Sequence, residues 1–268
     1  MSEQVKGQRQ GPEEKRLQGH WLLAKMGKKV LRPGGMEMTS ALLTEAAPKA
    51  EDDIVEYGPG VGRTAQILLS VQPRSYTAVD PNLDAAAELA AVISPHPQAR
   101  RITADAAETG LPAESATLVV GEAMLTMQSE SDKLRVMRES LRILKSGGRY
   151  VVHELAFTPD HISPARIEEV SRELARTIKV GARPLTCAHW RELLESAGFE
   201  VCYEWQNPMA LLRPARLIKD EGPLTFLKFV TNVLRNPAAR ERVGAMRKVF
   251  NRNRDNLCAV GFVVRKPI

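Results

Sequence analysis

Cysteine is scarce in this chain of 268 residues, and the few cysteines are widely separated. Cys187, Cys202 and Cys258 are odd in number and lack the paired spacing of a zinc site. We therefore expect neither a disulfide framework nor a metal site. Because free thiols are typical of a reducing compartment, the cysteine usage predicts a cytoplasmic protein.

Long hydrophobic runs are absent as well. No apolar run approaches the roughly 20 residues that a membrane span needs. Residues 1–17 are polar and charged, without the apolar stretch of a secretory signal, and we expect them to form a disordered leader. The remaining residues, 18–268, are long enough to bury one substantial core, and 43% of the chain is hydrophobic. We therefore predict a single domain over 18–268.

The net charge of +6 is unevenly placed. Residues 235–268 contain nine basic and two acidic side chains, so that segment carries +7 and the remainder −1. The basic character therefore belongs to the C-terminal segment. A basic segment of this kind is compatible with an anionic partner such as RNA or a lipid surface.

The most informative stretch is residues 54–64, in which an apolar run leads into a glycine-rich turn and then a predicted helix. A strand, a glycine turn and a helix together form a nucleotide-binding unit. A dinucleotide fingerprint places its last glycine three residues after the second, whereas Gly62 follows Gly60 by two. Glu56 precedes Gly58 by two residues, where a carboxylate would repel a pyrophosphate but attract a cationic ligand.

This E-x-G-x-G-x-G pattern resembles motif I of the class I S-adenosylmethionine-dependent methyltransferases. Residues 141–149, LRILKSGGR, resemble the family's L-x-x-L-K-P-G-G-R element, with Ser146 in place of the usual proline. The Leu-Thr at 185–186, followed by the Ala-Gly-Phe at 197–199, resembles a pattern that is common in the small-molecule and quinone-methylating group of this family. The resemblance covers roughly residues 50–205.

Predicted strands and helices alternate along the chain, which indicates an α/β fold with a mostly parallel sheet. The resemblance implies a Rossmann-like sheet of seven strands, the last one antiparallel, with helices on both faces. Residues 49–154 are then the cofactor-binding core, and residues 18–48 form N-terminal lid helices. We expect residues 155–185 and 207–256 to be helical insertions that form a substrate cap.

Acidic residues follow the predicted strands. Asp80 lies 18 positions after Gly62, where an acid accepts hydrogen bonds from a ribose diol, and Pro81 starts the next helix. The resemblance implies that Asp105 contacts the adenine amino group, with the backbone of Ala106 beside it. The predicted residues for binding S-adenosylmethionine are Glu56, Gly58, Gly60, Gly62, Asp80, Pro81, Asp105, Ala106 and Glu122.

The resemblance identifies no shared catalytic residue. A sulfonium methyl group is already activated, so a base is needed only when the nucleophile carries a proton. His153 and Glu122, both at predicted strand ends, are the candidate bases. A packed core histidine is an equally open interpretation of His153, and His20 and His189 are more typical of surface or packing residues.

A small-molecule acceptor is the leading interpretation. Methylation of RNA or of a lipid at a membrane surface, and a non-catalytic cofactor-binding partner subunit, remain as alternatives. The predicted basic helix over 237–251 has one apolar stripe, formed by Val243, Met246, Val249 and Phe250. A membrane-surface helix usually has a wider apolar face, so we expect this stripe to pack on the core. We expect no stable nucleic-acid or membrane partner, and the sequence leaves the oligomeric state open.

Overall fold

A sheet organises the computed structural model, which describes residues 17–83 and 86–268; most of the predicted leader lies outside these residues. The strand order is β3-β2-β1-β4-β5-β8-β7, and the two-residue β6 pairs with β5 beside this path. β1 to β5 are parallel, whereas β8 runs antiparallel to β5 and β7. The predicted seven-stranded, mostly parallel sheet with an antiparallel last strand is therefore confirmed, with β6 as an addition. The strands are β1 Asp53–Tyr57, β2 Ser75–Val79, β3 Ala99–Ile102, β4 Ala116–Glu122, β5 Leu144–Phe157, β6 Leu185–Thr186, β7 Glu200–Pro208 and β8 Leu257–Arg265.

Four of the helices in the described part of the chain begin at a side-chain capping residue. The side chains of Ser129, Ser163, Thr186 and Asn236 each accept a hydrogen bond from the backbone N–H three residues later, as N-cap residues do. The helices in the described part of the chain are α1 Gly19–Lys25, α2 Gly35–Ala46, α3 Arg63–Ser70, α4 Ala86–Ile93, α5 Glu130–Ile143, α6 Pro164–Ile178, α7 Cys187–Ser196, α8 Pro214–Glu221, α9 Pro223–Arg235 and α10 Pro237–Arg252.

The end of α5 departs from its sequence pattern. α5 ends at Ile143, and Ser146-Gly147-Gly148, which from their composition are typical of a helix stop, belong to β5. β5 already pairs with β4 at Leu144, so strand pairing begins before the glycines are reached.

Three apolar clusters hold the layers together. One, around Val119 and Trp190, packs α5 and α7 on one face of the sheet, and another, around Leu42 and Leu68, packs α2 and α3 on the other. The third lies beyond the carboxyl edge of the sheet, among α1, α6, α8, α9 and α10. We refer to these five helices as the helical cap.

The three cysteines are all free thiols. Cys187 and Cys258 are 71 residues apart in sequence, yet their buried sulfurs lie 3.7 Å from each other. No group of three or more His, Cys, Asp or Glu side chains within residues 17–83 and 86–268 is arranged to hold a metal ion. Among the helices of these same residues, none combines the length and apolar character required to cross a bilayer.

The end of α8 fixes the loop between α1 and α2. Glu221 Oε1 accepts hydrogen bonds from the backbone N–H groups of Lys29 at 2.9 Å and Val30 at 2.8 Å. The same oxygen lies 3.4 Å from Nζ of Lys28, whose side chain is fully buried. Burial lowers the pKa of Lys28, although the negative charge of Glu221 opposes that shift. One carboxylate therefore holds a distant segment through three donors.

Glu221→Ala should lower the free energy of unfolding by about 3–5 kcal/mol, because it leaves the buried Lys28 without its partner. The matched control is Glu37→Ala. Glu37 pairs with Arg216 and Lys219 but is partly exposed, so its loss should cost about 1 kcal/mol or less. Urea unfolding measures both changes. Equal, small losses for the two variants would contradict the structural role given to Glu221.

Candidate functional site

A large cavity lies between the carboxyl edge of the sheet and the helical cap. Its volume is about 400 Å³. A ligand site typically measures about 300–1,000 Å³, so the cavity has the size of such a site.

The glycine turn after β1 forms part of the floor of this cavity. Gly58, Gly60 and Gly62 have φ angles of 58°, 54° and 78°, in the left-handed region that favours glycine. A Cβ at Gly60 would meet no protein atom within 4 Å, whereas one at Gly62 would lie 3.0 Å from Cγ2 of Val92. Gly60 thus keeps open a space that a ligand can fill, and Gly62 permits α3 to pack against α4. The open space at Gly60 is therefore compatible with S-adenosylmethionine, the cofactor that the sequence predicts.

Glu56, near the end of β1, lines the cavity and is only 4% exposed. The hydroxyl of Tyr76 donates a hydrogen bond to Glu56 Oε2 at 2.5 Å. Burial raises the pKa of Glu56 to about 8; the bond from Tyr76 opposes this and the negative charge of Glu122 adds to it. The carboxyl is therefore largely protonated at neutral pH and is poised to ionise when a cation binds beside it.

The acids after β2 and β3 also line the cavity, together with Pro81 and Ala106. Asp80 Oδ1 accepts from the backbone N–H of Asn82 at 2.9 Å, and Asp105 Oδ1 accepts from that of Ala107 at 2.7 Å. The guanidinium of Arg101 donates to the carbonyl oxygens of Asp80 and Asn82, at 3.0 and 2.8 Å. Eight of the nine predicted cofactor residues therefore line one cavity, whereas Gly62 packs against Val92 of α4. Local hydrogen bonds fix the turns that carry Asp80 and Asp105.

Glu122, at the end of β4, is the centre of a buried polar network. Its Oε1 accepts from the hydroxyl of Thr39 at 2.6 Å and from Nδ1 of His153 at 2.8 Å, and its Oε2 accepts from the hydroxyl of Thr64 at 2.5 Å. Nε of Arg32 lies 3.4 Å from Oε1. Burial by itself raises the pKa of Glu122, but the charge of Arg32 and the bond from His153 outweigh it and hold the pKa at about 2. We call these five residues the Glu122 cluster.

His153 is fully buried, and both of its ring nitrogens are engaged. Nε2 lies 2.5 Å from the carbonyl oxygen of Pro33, which can only accept, and Nδ1 faces Glu122. The ring is absent from the lining of the cavity, whereas His20 of α1 is part of it. His189 lies on the surface of α7, 3.3 Å from Glu130. This geometry therefore gives no support to His153 as a base for the acceptor. It agrees with the alternative interpretation, a histidine packed in the core.

Glu154, beside His153, shapes the loop after β4. Its carboxylate accepts from the backbone N–H groups of Met124, Leu125 and Thr126, at 2.9, 2.7 and 3.0 Å, and from the Thr126 hydroxyl at 2.6 Å. Burial raises the pKa of Glu154, although these bonds oppose the shift. Met124 and Thr126 line the cavity, so Glu154 determines part of its wall.

Sequence reasoning missed three members of the Glu122 cluster. Thr64 had a local signal, because it lies in the first turn of the helix that the glycine turn introduces. Arg32 and Thr39 had none, since the contacts that join them to Glu122 span about ninety residues of chain. Arg32 lies in the stretch RPGG, whose proline and glycines are typical of a helix break and carry no signal for a buried charge.

Gly60→Ala should weaken the binding of S-adenosylmethionine at least tenfold, because its methyl group enters the space that the glycine keeps open. Gly110→Ala is the matched control, since Gly110 also has a positive φ, of 70°, and free space around it, but lies away from the cavity. Both substitutions carry a similar backbone cost of about 1–2 kcal/mol. Isothermal titration should show the loss in Gly60→Ala alone; equal affinities in the two variants would remove the turn from the binding site.

Binding of S-adenosylmethionine should release a proton at neutral pH. Glu56 is protonated below its pKa of about 8, and the positive charge of the ligand favours the carboxylate, so affinity should rise with pH up to about 8. Titration calorimetry in buffers of different ionisation enthalpy measures the release. Glu56→Gln should bind more weakly and without this proton; an identical pH dependence in the variant would exclude Glu56 as its source.

Comparison with known proteins agrees with this geometry. A family model described as a methyltransferase domain matches residues 32–204. An uncharacterized protein of Haemophilus influenzae is 30% identical over 237 residues, which cover 87% of this chain and 92% of that protein.

Solved structures share the fold at low sequence identity. Phosphoethanolamine N-methyltransferase 2 of Haemonchus contortus, in complex with S-adenosyl-L-methionine, has a TM-score of 0.68 and 19% identity over 93% of this chain and 57% of that one. A geranyl diphosphate methyltransferase in complex with GPP and sinefungin has a TM-score of 0.62 and 11% identity over 86% and 78% of the two chains. The family match, the fold and the cavity lead to one conclusion: this chain belongs to the class I S-adenosylmethionine-dependent methyltransferases and uses S-adenosylmethionine as its cofactor.

Proposed function

We propose that the protein transfers a methyl group to a small, largely apolar molecule bound beneath the helical cap. The observation that carries this proposal is the change in lining along the cavity. The carboxylates among its described lining residues are Glu56, Asp80, Asp105 and Glu122, and all of them lie at strand ends. The opposite half, which we call the acceptor chamber, has apolar walls that include Leu31, Leu174, Ile178, Met209, Met246 and Phe250.

The strand-end residues form the cofactor half. These residues would hold S-adenosylmethionine: Glu56 its cationic amino acid end, Asp80 its ribose hydroxyls, and Asp105 with the backbone of Ala106 its adenine edge. The cofactor supplies a methyl group already activated on a sulfonium. The work left to the chain is to align the acceptor with that methyl group and to keep water away.

The Glu122 cluster positions the cavity wall in this proposal. A carboxylate with a pKa of about 2 that already accepts bonds from three side chains is a poor base at neutral pH. His153 joins Glu122 to the carbonyl of Pro33 and so orders the segment before α2. Loss of either side chain should therefore disturb ligand affinity and local order together.

The acceptor chamber distinguishes this function from the alternatives. Its walls come from α1, α6, α10, the loop between α1 and α2, and the segment after β7, so the acceptor would be surrounded by side chains on several sides. Such an enclosure suits a small apolar molecule better than a base within a folded RNA. A subunit that only binds the cofactor would have no use for a second chamber. The acceptors named for the structural neighbours differ widely in polarity, so this chain's own walls carry the argument. A cytoplasmic location agrees with the three free thiols.

The experiment is to incubate the protein with methyl-labelled S-adenosylmethionine and a cell extract separated into lipid-soluble metabolites, polar metabolites, RNA and protein. Label should enter the lipid-soluble fraction and should be lost with Gly60→Ala. Label in RNA or in polar metabolites would contradict the apolar acceptor, and label in no fraction would favour a non-catalytic binding protein.

Val180→Asp places a charge in the acceptor chamber from the loop that follows α6, where Val180 is half-buried. A carboxylate facing apolar walls disfavours an apolar ligand, so KM for the extracted acceptor should rise at least about tenfold. Affinity for S-adenosylmethionine should not change, because Val180 belongs to the other half of the cavity. Val180→Leu is the control and should leave both quantities near their original values. An unchanged KM in Val180→Asp would place the acceptor elsewhere.

A further inference from the structure

We propose that the exposed face of α9 docks the helical cap on an anionic membrane surface. Leu224, Leu227 and Leu234 of this helix are 83%, 62% and 59% exposed. The opposite face of α9 carries Phe229, which is buried, and Val233, which packs with it in the apolar cluster of the cap. The leucines are therefore not needed to hold α9 in place.

The exposed face combines leucine with positive charge. At 3.6 residues per turn, Leu224, Leu227, Lys228, Thr231, Leu234 and Arg235 fall within one arc of about 120°. Leu227 and Leu234 occupy one side of the arc, and Lys228 and Arg235 occupy the other. The sequence of α9 contains no acidic residue. Apolar side chains beside lysine and arginine are typical of helices that lie in a membrane interface.

The surroundings of α9 extend this character. Ile218 of α8 is also exposed, at 43%. Residues 213–252 contain ten basic and three acidic side chains, a net charge of +7. Two of those acids, Asp220 and Glu221, accept bonds from the backbone before and at the start of α2. Arg216 and Lys219 pair with Glu37, and Arg252 pairs with Glu173, so the positive charge next to the leucines comes from Lys228 and Arg235 of α9 itself.

This charge decides between two occupants of the apolar face. A second copy of the chain that packs α9 against α9 would bring the Lys228 and Arg235 side chains of both copies together, with +7 over residues 213–252 of each copy. Like charges at short distance disfavour that arrangement. An anionic bilayer complements the same charge and accepts the leucines, so it is the occupant that fits.

Docking through α9 differs from the expectation of no stable membrane partner, for which the apolar stripe of α10 was the relevant feature. The stripe of α10 packs into the cap, with Met246 buried. α9 has an apolar stripe that remains exposed. Docking through α9 does not depend on the identity of the proposed acceptor. The two surfaces are neighbours, because α10 packs on α9 and also lines the acceptor chamber.

Co-sedimentation of the full chain with vesicles tests the inference, with phosphatidylcholine alone compared with an equal mixture of phosphatidylcholine and phosphatidylserine. The protein should bind the mixed vesicles at least tenfold more tightly. Binding should remain measurable at about 0.15 M salt, because the leucine contacts are not screened. Equal binding to the two vesicle types, or none to either, would overturn the proposal.

Two variants locate the surface. Leu224→Ser combined with Leu227→Ser and Leu234→Ser, and separately Lys228→Glu with Arg235→Glu, should each weaken binding to mixed vesicles at least tenfold. Ile268→Ser removes an exposed apolar side chain outside the cap and should have no effect. Thermal unfolding and affinity for S-adenosylmethionine should be unchanged in all three, which excludes misfolding as the cause. Undiminished vesicle binding in both α9 variants would overturn the assignment. The assignment would also be overturned if sedimentation velocity showed a dimer that the serine variant abolishes, while the protein did not bind vesicles.

Discussion

The structure depends on one buried charge, the carboxylate of Glu122. An ionised carboxylate away from water is costly unless charges and hydrogen-bond donors surround it. Glu122 stands at the end of β4, and its partners come from three other parts of the chain: Arg32 and Thr39 from the N-terminal segment, Thr64 from α3 and His153 from β5. The need to satisfy this charge joins the N-terminal segment to the edge of the sheet. That connection closes one side of the cavity.

Two buried carboxyl groups at this edge are held in opposite states. Burial dominates at Glu56 and raises its pKa to about 8, whereas at Glu122 burial is outweighed by Arg32 and the hydrogen bonds, and the pKa is about 2. One acid is therefore permanently ionised and structural, and the other keeps its proton until a cation arrives. This division lets the site bind a positively charged cofactor without holding an unpaired negative charge at Glu56 before the cofactor binds.

Local signals predicted much of this molecule, and long-range contacts account for most of what they missed. The glycine turn, the acids after the strands and the N-caps Ser129, Ser163, Thr186 and Asn236 depend on residues a few positions apart, and the sequence displays them directly. The pairing of Arg32 with Glu122, the anchoring of residues 28–30 by Glu221 and the inward orientation of His153 depend on residues that only the fold brings together. The basic C-terminal helices also show that sequence alone does not reveal which side chains the fold buries. Both α9 and α10 have apolar stripes, and only their packing decides which one remains exposed.

Hydrogen exchange in Glu122→Gln tests most directly whether this charge holds the N-terminal segment in place. The amide side chain removes the negative charge that Arg32 and His153 face, while its size is nearly unchanged. We expect the backbone amides of residues 31–39 to exchange at least tenfold faster than in the original protein, while those of β1 and β4 keep their protection. Unchanged exchange at residues 31–39, or a uniform loss of protection across the sheet, would contradict the role assigned to Glu122.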